Sequence, residues 1–207
     1  GDGRRSRRKN SEKRSEVNNG IVDYVANSDD IARPPQPPTY VVLIDVSVNA
    51  VHNGMVKCVA ETLRQTLHSL PNSDNCTRVA FIAVDGALNY FQFPLPNPLK
   101  PDERQDARML VVSDLEDPFL PTNSGTLVNL TECMPVIKRF LESLPSLFAN
   151  TYASNRAMGS ALKASLGLVK SIGGTAVWIT SSLPRVGLGK PQPRDDRKHP
   201  GLKSGQH

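Results

Sequence analysis

The sequence predicts an α/β fold in which helices cover both faces of a mainly parallel sheet. Residues 40–46, 78–84 and 175–180 form continuous apolar runs rich in β-branched residues, as is typical of strands buried on both faces. Segments with apolar residues at helical spacing lie between these runs. This alternation of strands and helices predicts a doubly wound α/β domain.

Local signals place the remaining elements. Asp85-Gly86 predicts a tight turn into a strand over residues 88–93, which supplies one antiparallel edge strand. Pro71 ends the first predicted helix, Pro135 suits the first turn of the second, and Gly173-Gly174 closes the third. These helices span residues 51–70, 135–148 and 157–171. Short strands are predicted over residues 21–26 and 109–113.

Composition divides the chain into four segments. Residues 1–20 form a basic arm without periodicity, and residues 21–38 form an extended, proline-rich lead-in. Residues 39–183 form the α/β domain, and residues 184–207 form a basic tail rich in proline and glycine. Sheets of this kind usually continue with further strand–helix units, so we expect the domain to be truncated at its C-terminus.

The net charge of +5 resides entirely in residues 1–14, which hold seven basic and two acidic residues. The rest of the chain balances 18 basic with 18 acidic groups, so the domain shows no sign of a nucleic-acid footprint. The arm is either a solvated tail or a contact with an anionic membrane surface. The membrane-facing candidates are Arg4, Arg5, Arg7, Arg8 and Lys9.

The rest of the composition favours a cytosolic protein. The longest apolar runs are shorter than a membrane-spanning helix needs, and no apolar segment of a secretory signal follows the basic N-terminus. Cys58, Cys76 and Cys133 are scattered, without a C-x-x-C pair, which argues against a disulfide framework and a zinc site.

The most informative short motif is Asp45-Val-Ser-Val-Asn49, at the end of the first buried strand. Ligands of open α/β sheets bind at the carboxyl ends of strands. This motif resembles the D-x-S-x-S pattern of the metal-ion-dependent adhesion site of von Willebrand factor A domains. The oxygens of that pattern suit Mg²⁺. Asn49 departs from that pattern, and the usual Thr and Asp ligands have no clear match. We therefore expect no metal, and expect Asp45 and Ser47 to bind loop amides and cap the next helix.

Catalytic motifs are weaker still. His52, His68, His199 and His207 lie beside no nucleophile motif, and phosphate-binding glycine loops are absent from the sequence. The acids Asp114, Glu116 and Asp117 lie in a proline-bounded loop, where a solvated cluster is the simpler interpretation of such a group. We expect no catalytic residues and no enzyme activity.

Several blocks of the chain resemble the trunk domain of the cargo-adaptor subunit of the COPII vesicle coat, of the Sec twenty-four type. The block at residues 109–121, MLVVSDLEDPFLP, is very close to the pattern M-L-V-V-S-D-L-D-D-x-F-L-P of that family. The S-D-L-[DE]-D part distinguishes the adaptor from its GTPase-activating sister subunit. Further similar blocks are residues 19–26, 33–47, 127–132, 144–148, 159–162, 183–189 and 194–198.

The resemblance implies a von Willebrand factor A-like trunk that acts without catalysis. It implies pairing with the GTPase-activating inner-coat subunit, capture of cargo export signals and SNARE proteins, and transport from the endoplasmic reticulum to the Golgi apparatus. The expected location is cytoplasmic, peripheral on endoplasmic reticulum exit sites and COPII vesicles. The cysteines of the family's zinc ribbon are absent from this sequence, so no cofactor is expected.

Two other hypotheses remain open at the level of sequence. One is a metal-dependent ligand-binding module that uses Asp45, Ser47 and Asn49. The other, which has weaker support, is a small α/β hydrolase that uses acids at the ends of strands. Metal titration distinguishes the first of these from a coat module.

Overall fold

The computed structural model describes residues 20–21, 36–95, 105–121 and 124–192 of the 207-residue chain. The chain divides into two compact units, Gly1–Pro35 and Gln36–His207. In the first unit the structure describes only Gly20 and Ile21, which are both exposed. Apart from Ile21, the strand predicted over residues 21–26 therefore lies outside the described residues, as does the basic arm.

Within the described residues, a six-stranded sheet forms the centre of the second unit. Its order is β4-β3-β2-β1-β6, with β5 beside β3 on the same edge of β2. In β1, Leu43 lies opposite Ile82 of β2 and Trp178 of β6, and both pairings are parallel. Strand β3 runs antiparallel to β2 and β4, so four of the six strands point the same way. The strands are β1 Thr39–Asp45, β2 Arg78–Val84, β3 Leu88–Gln92, β4 Arg108–Val112, β5 Val128–Asn129 and β6 Thr175–Ile179.

Helices pack on both faces of this sheet, as the sequence predicts. On one face, Val42 and Ile44 of β1 share a core with the helices that follow β1 and β5. On the other face, Val41 and Leu43 pack with the last helix. The helices are α1 Val48–His52, α2 Met55–Thr66, α3 Leu130–Leu147 and α4 Met158–Val169. None of the helices in the described residues is long and apolar enough to cross a membrane.

The prediction of a single helix over residues 51–70 is wrong. The segment forms α1 and α2, with a break at Asn53-Gly54, and a 3-10 turn over Leu67–Ser69 follows. Gly54 adopts φ of +79°, a left-handed conformation that glycine takes readily, and the side chain of Asn53 accepts a hydrogen bond from the Met55 amide at 2.9 Å. This Asn-Gly pair interrupts the helical pattern without disturbing its apolar spacing.

The second predicted helix begins earlier than expected. Helix α3 starts at Leu130, and Pro135 lies inside it and not in its first turn. The Asn129 side chain caps the helix by accepting hydrogen bonds from the amides of Thr131 at 2.8 Å and Glu132 at 3.1 Å. Helix α4 falls within the predicted residues 157–171.

Two strand predictions also need correction. Strands β1 and β2 are buried, but β6 is not: four of its five residues are exposed, and Trp178 has an exposed fraction of 42%. The reason is that β6 lies at an edge of the described sheet and pairs with β1 alone. Strand β3 is antiparallel as predicted, but β4 lies outside it, so β3 is second from the edge. The fold class itself is confirmed.

Candidate functional site

The carboxyl ends of β1, β2 and β6 meet at one edge of the sheet, where the sequence predicts the functional residues. The segment before α4 crosses this edge. The Val48 amide donates to the Ala153 carbonyl at 2.9 Å, and the Ala157 amide donates to the Asp85 carbonyl at 2.8 Å. Residues far apart in the sequence therefore lie together here.

Asp45 is completely buried and is surrounded by hydrogen-bond donors. One carboxylate oxygen, Oδ1, accepts from the Ser47 amide at 2.9 Å. The other, Oδ2, accepts from the Ser181 amide at 2.9 Å, the Ser181 hydroxyl at 2.6 Å and the Thr180 hydroxyl at 3.3 Å. Asp45 therefore joins the end of β1 to the loop that follows β6.

These donors also set the ionisation of Asp45. Burial acts to raise the pKa of the carboxyl group, but the hydrogen bonds from Ser181 and Ser47 outweigh that effect. The net result is a pKa below the usual range, so Asp45 is ionised at neutral pH.

Ser47 is buried and precedes α1, but its side chain does not cap that helix, in contrast to the sequence prediction. Its hydroxyl oxygen accepts instead from Nη1 of Arg156 at 3.3 Å. Asn49, the third residue of the predicted motif, is exposed on α1. The fold thus gathers Asp45 and Ser47 into the interior and leaves Asn49 at the surface.

The three acids of the second candidate cluster are exposed and have structural partners. The carboxylate of Asp114 accepts from the amides of Glu116 at 3.1 Å and Asp117 at 3.0 Å, which closes a turn. The ammonium group of Lys163 donates to the carbonyl of Glu116 at 3.0 Å and to the carboxylate of Asp117 at 3.1 Å. The carboxylate of Asp117 and the backbone carbonyl of Glu116 therefore hold the loop in place against α4.

The same loop is anchored at its far end by Tyr90. The Tyr90 hydroxyl donates to the carbonyl of Phe119 at 3.3 Å, and burial raises the pKa of Tyr90 to about 12. Tyr90 therefore keeps its proton and remains a donor at neutral pH. The Phe119 side chain itself is 56% exposed.

Ser160 joins three of the blocks that carry the sequence resemblance, namely residues 109–121, 159–162 and 183–189. Its hydroxyl donates to the Leu115 carbonyl at 2.6 Å and accepts from the Leu188 amide at 3.1 Å. A Cβ added at Gly159 would overlap the carbonyl oxygen of Leu188, so this position admits only glycine without a shift of the loop. The three blocks thus contact one another around Ser160.

Sequence reasoning missed Arg156, Ser160 and Ser181. The run of hydroxyl residues that follows β6 is a signal that could have pointed to Ser181, because it lies at the same edge as Asp45. Arg156 has no such signal. The candidates Arg4, Arg5, Arg7, Arg8 and Lys9 lie outside the described residues. Within the described ranges, no group of three or more His, Cys, Asp or Glu residues could hold a metal ion.

The fold and this edge define an α/β trunk module whose loops pack on the carboxyl ends of its strands. The family model described as the Sec23/Sec24 trunk domain matches residues 35–207. The chain belongs to this family. It is 30% identical to the chain in the crystal structure of the human COPII-coat protein Sec24c, with a TM-score of 0.68, and the match covers 79% of this chain and 22% of that one.

Two curated relatives carry the same description, protein transport protein SEC24. The relative from Yarrowia lipolytica is 44% identical over 193 residues, which cover 89% of this chain and 21% of the relative. The relative from Chaetomium globosum is 45% identical over 185 residues, 89% of this chain and 19% of the relative. The chain thus spans about a fifth of the length of the curated relatives it matches.

Proposed function

We propose that this chain serves as the trunk module of a SEC24-type subunit of the COPII coat, and that it works in protein transport by binding other proteins. The observation that carries the proposal is the family match over residues 35–207, supported by relatives at 44% and 45% identity. The packing of three resemblance blocks around the buried Ser160 supports it further, since these parts of the sequence contact one another in the fold.

A role without catalysis agrees with how the polar groups are used. Asp45 is buried and accepts four hydrogen bonds. Asp114 closes a turn, and Asp117 forms an ion pair with Lys163. His52 and His68 are exposed on helical segments. General acid–base catalysis needs a titratable group with a free path to a substrate proton. Asp45 is buried and does not offer one, and the exposed Asp114 and Asp117 are engaged by backbone amides and by Lys163.

The proposed partners follow from the family. They are the GTPase-activating inner-coat subunit, cargo export signals and SNARE proteins, with the basic arm at an anionic membrane surface. The proposed location is the cytoplasmic face of endoplasmic reticulum exit sites. Exposed apolar side chains on β4 and β6, among them Val111 and Trp178, offer contact area of the kind that protein interfaces use.

A chimaera tests the proposal. Residues 36–192 of this chain replace the matching segment of the Yarrowia lipolytica relative, and secretion of a reporter protein is measured together with the location of the chimaera. We expect secretion and location at exit sites to be retained. A chimaera with Gly159→Leu, which forces the 183–189 loop away, should lose both, whereas Gly167→Ala, which meets open space, should not. A chimaera that is as abundant as the native protein but does not support secretion would contradict the proposal.

A further inference from the structure

Arg156 is the largest of the almost completely buried side chains, with an exposed fraction of 1%. The guanidinium group of an arginine is a cation. A buried charge is costly unless hydrogen bonds and opposite charge compensate it. The partners of Arg156 therefore show what this interior cation does.

Those partners belong to the first candidate site. Nη1 of Arg156 donates to the Ser47 hydroxyl oxygen at 3.3 Å, and the Ser47 amide donates to Oδ1 of Asp45 at 2.9 Å. Ser47 thus lies between a buried carboxylate and a buried guanidinium. In the A-domain motif that this stretch resembles, a divalent cation faces the Asp and Ser oxygens.

The oxygens of this site do not fit a divalent cation. Mg²⁺ requires about six oxygen ligands in near-octahedral geometry. Both carboxylate oxygens of Asp45 already accept hydrogen bonds, four in total. The Ser47 hydroxyl oxygen accepts from Arg156, and Asn49 is exposed on α1. The donor atoms that a metal would need are thus directed at protein groups.

We propose that the guanidinium group of Arg156 takes the place of the divalent cation in this A-domain-like site, so that the site is complete without a metal ion. The same residue also holds the loop after β6. Its Nε donates to the Leu183 carbonyl at 3.3 Å, and its own carbonyl accepts from the amides of Arg185 at 3.0 Å and Val186 at 3.4 Å. The guanidinium group therefore holds Leu183, whereas the backbone of Arg156 holds Arg185 and Val186, and none of these contacts needs a metal ion.

Three variants of the full chain test the proposal by thermal unfolding, in EDTA and in millimolar Mg²⁺. Arg156→Lys keeps the charge, Arg156→Gln removes it at similar length, and Arg64→Ala removes an exposed arginine as the control. We expect the midpoints of the wild type and of Arg64→Ala to be the same in both buffers. Arg156→Lys should unfold at a higher temperature than Arg156→Gln. Mg²⁺ should not raise the midpoint of Arg156→Gln either, because Asp45 keeps its four hydrogen bonds and Asn49 stays at the surface.

Three results would overturn the proposal. The first is a wild-type midpoint that rises with Mg²⁺, which would mean that the site accepts a metal. The second is equal destabilisation by the Lys and Gln variants, or failure of both to fold, which would mean that the charge is not what matters. The third is a rise of the Arg156→Gln midpoint in Mg²⁺, which would mean that the oxygens of the site do fit a divalent cation. If Arg156→Gln fails to fold in both buffers but Arg156→Lys folds, the result supports the proposal that the positive charge at this position stabilises the fold.

Discussion

Replacing Asp45 by alanine removes the acceptor that joins β1 to the loop after β6. Four donors lose their partner, namely the amides of Ser47 and Ser181 and the hydroxyls of Ser181 and Thr180. The hydroxyls can rotate, and that of Thr180 also reaches the Ser182 carbonyl at 2.8 Å. The two amides are fixed by the backbone; that of Ser47 remains buried, and that of Ser181 remains partly buried.

The expected loss of unfolding free energy follows from those two amides. A buried donor left without a partner costs about 1–3 kcal/mol. Two such donors would cost about 2–6 kcal/mol, and the partial burial of the Ser181 amide favours the lower half of that range. Urea unfolding followed by circular dichroism and by the fluorescence of Trp178, the only tryptophan, measures this loss.

The matched control is Asp114→Ala, because Asp114 also accepts from two backbone amides but is exposed. Water replaces the lost acceptor there, so its loss should be much smaller. If the losses from Asp45→Ala and Asp114→Ala agreed within about 0.5 kcal/mol, the margin typical of surface substitutions, the reasoning would be refuted.

The lowered pKa of Asp45 adds a dependence on pH. Because the folded pKa is below the unfolded value of about 3.9, the unfolded state binds more protons in this range. The stability that Asp45 contributes is therefore complete above the unfolded pKa and is lost as the pH falls through the folded pKa. The difference in stability between the wild type and Asp45→Ala should shrink below about pH 4.

Three further predictions concern other parts of the chain. Gly159→Ala should cost about 1–3 kcal/mol of unfolding free energy because its Cβ overlaps a neighbouring carbonyl oxygen. Gly167→Ala in the same helix should be neutral or stabilising by up to about 1 kcal/mol, and equal effects in urea unfolding would contradict this difference. Removal of residues 1–14 should weaken sedimentation with anionic liposomes without changing the fold. The effect of the truncation should be smaller in high salt, because salt screens exposed charges. Unchanged liposome binding would exclude the arm as a membrane contact. Trp178→Thr should lower the binding of a hydrophobic dye more than Leu166→Ser, since Trp178 lies on an exposed apolar edge strand, and equal effects would argue against a patch there.

The sequence predicts the strands well because a buried strand has a local signature, an unbroken apolar run. That signature does not reveal the neighbours of a strand. Residues 175–180 have the composition of a buried strand, but among the described strands β6 pairs with β1 alone and is exposed. For the same reason the tight turn at Asp85-Gly86 predicts that β3 is antiparallel but does not reveal that β4 lies outside it.

Helix boundaries and the site show a different limit. Asn129 and Glu132 have the spacing of a capping box, so the sequence contains a signal for the start of α3, although Pro135 gives a competing signal five residues later. The role of Asp45 follows from its place at the end of a buried strand. Arg156 lies more than 100 residues from Ser47 in the sequence, and only the tertiary fold brings the two together.

The proposed role as a coat trunk is tested most directly by binding of the GTPase-activating inner-coat subunit to this chain. Size-exclusion chromatography with light scattering, on a mixture of the two purified proteins, gives the mass of any complex. We expect a single peak whose mass is that of the two proteins together, unaffected by EDTA. If the two proteins eluted separately, although circular dichroism showed this chain to be folded, the result would contradict the proposal that it is a coat trunk.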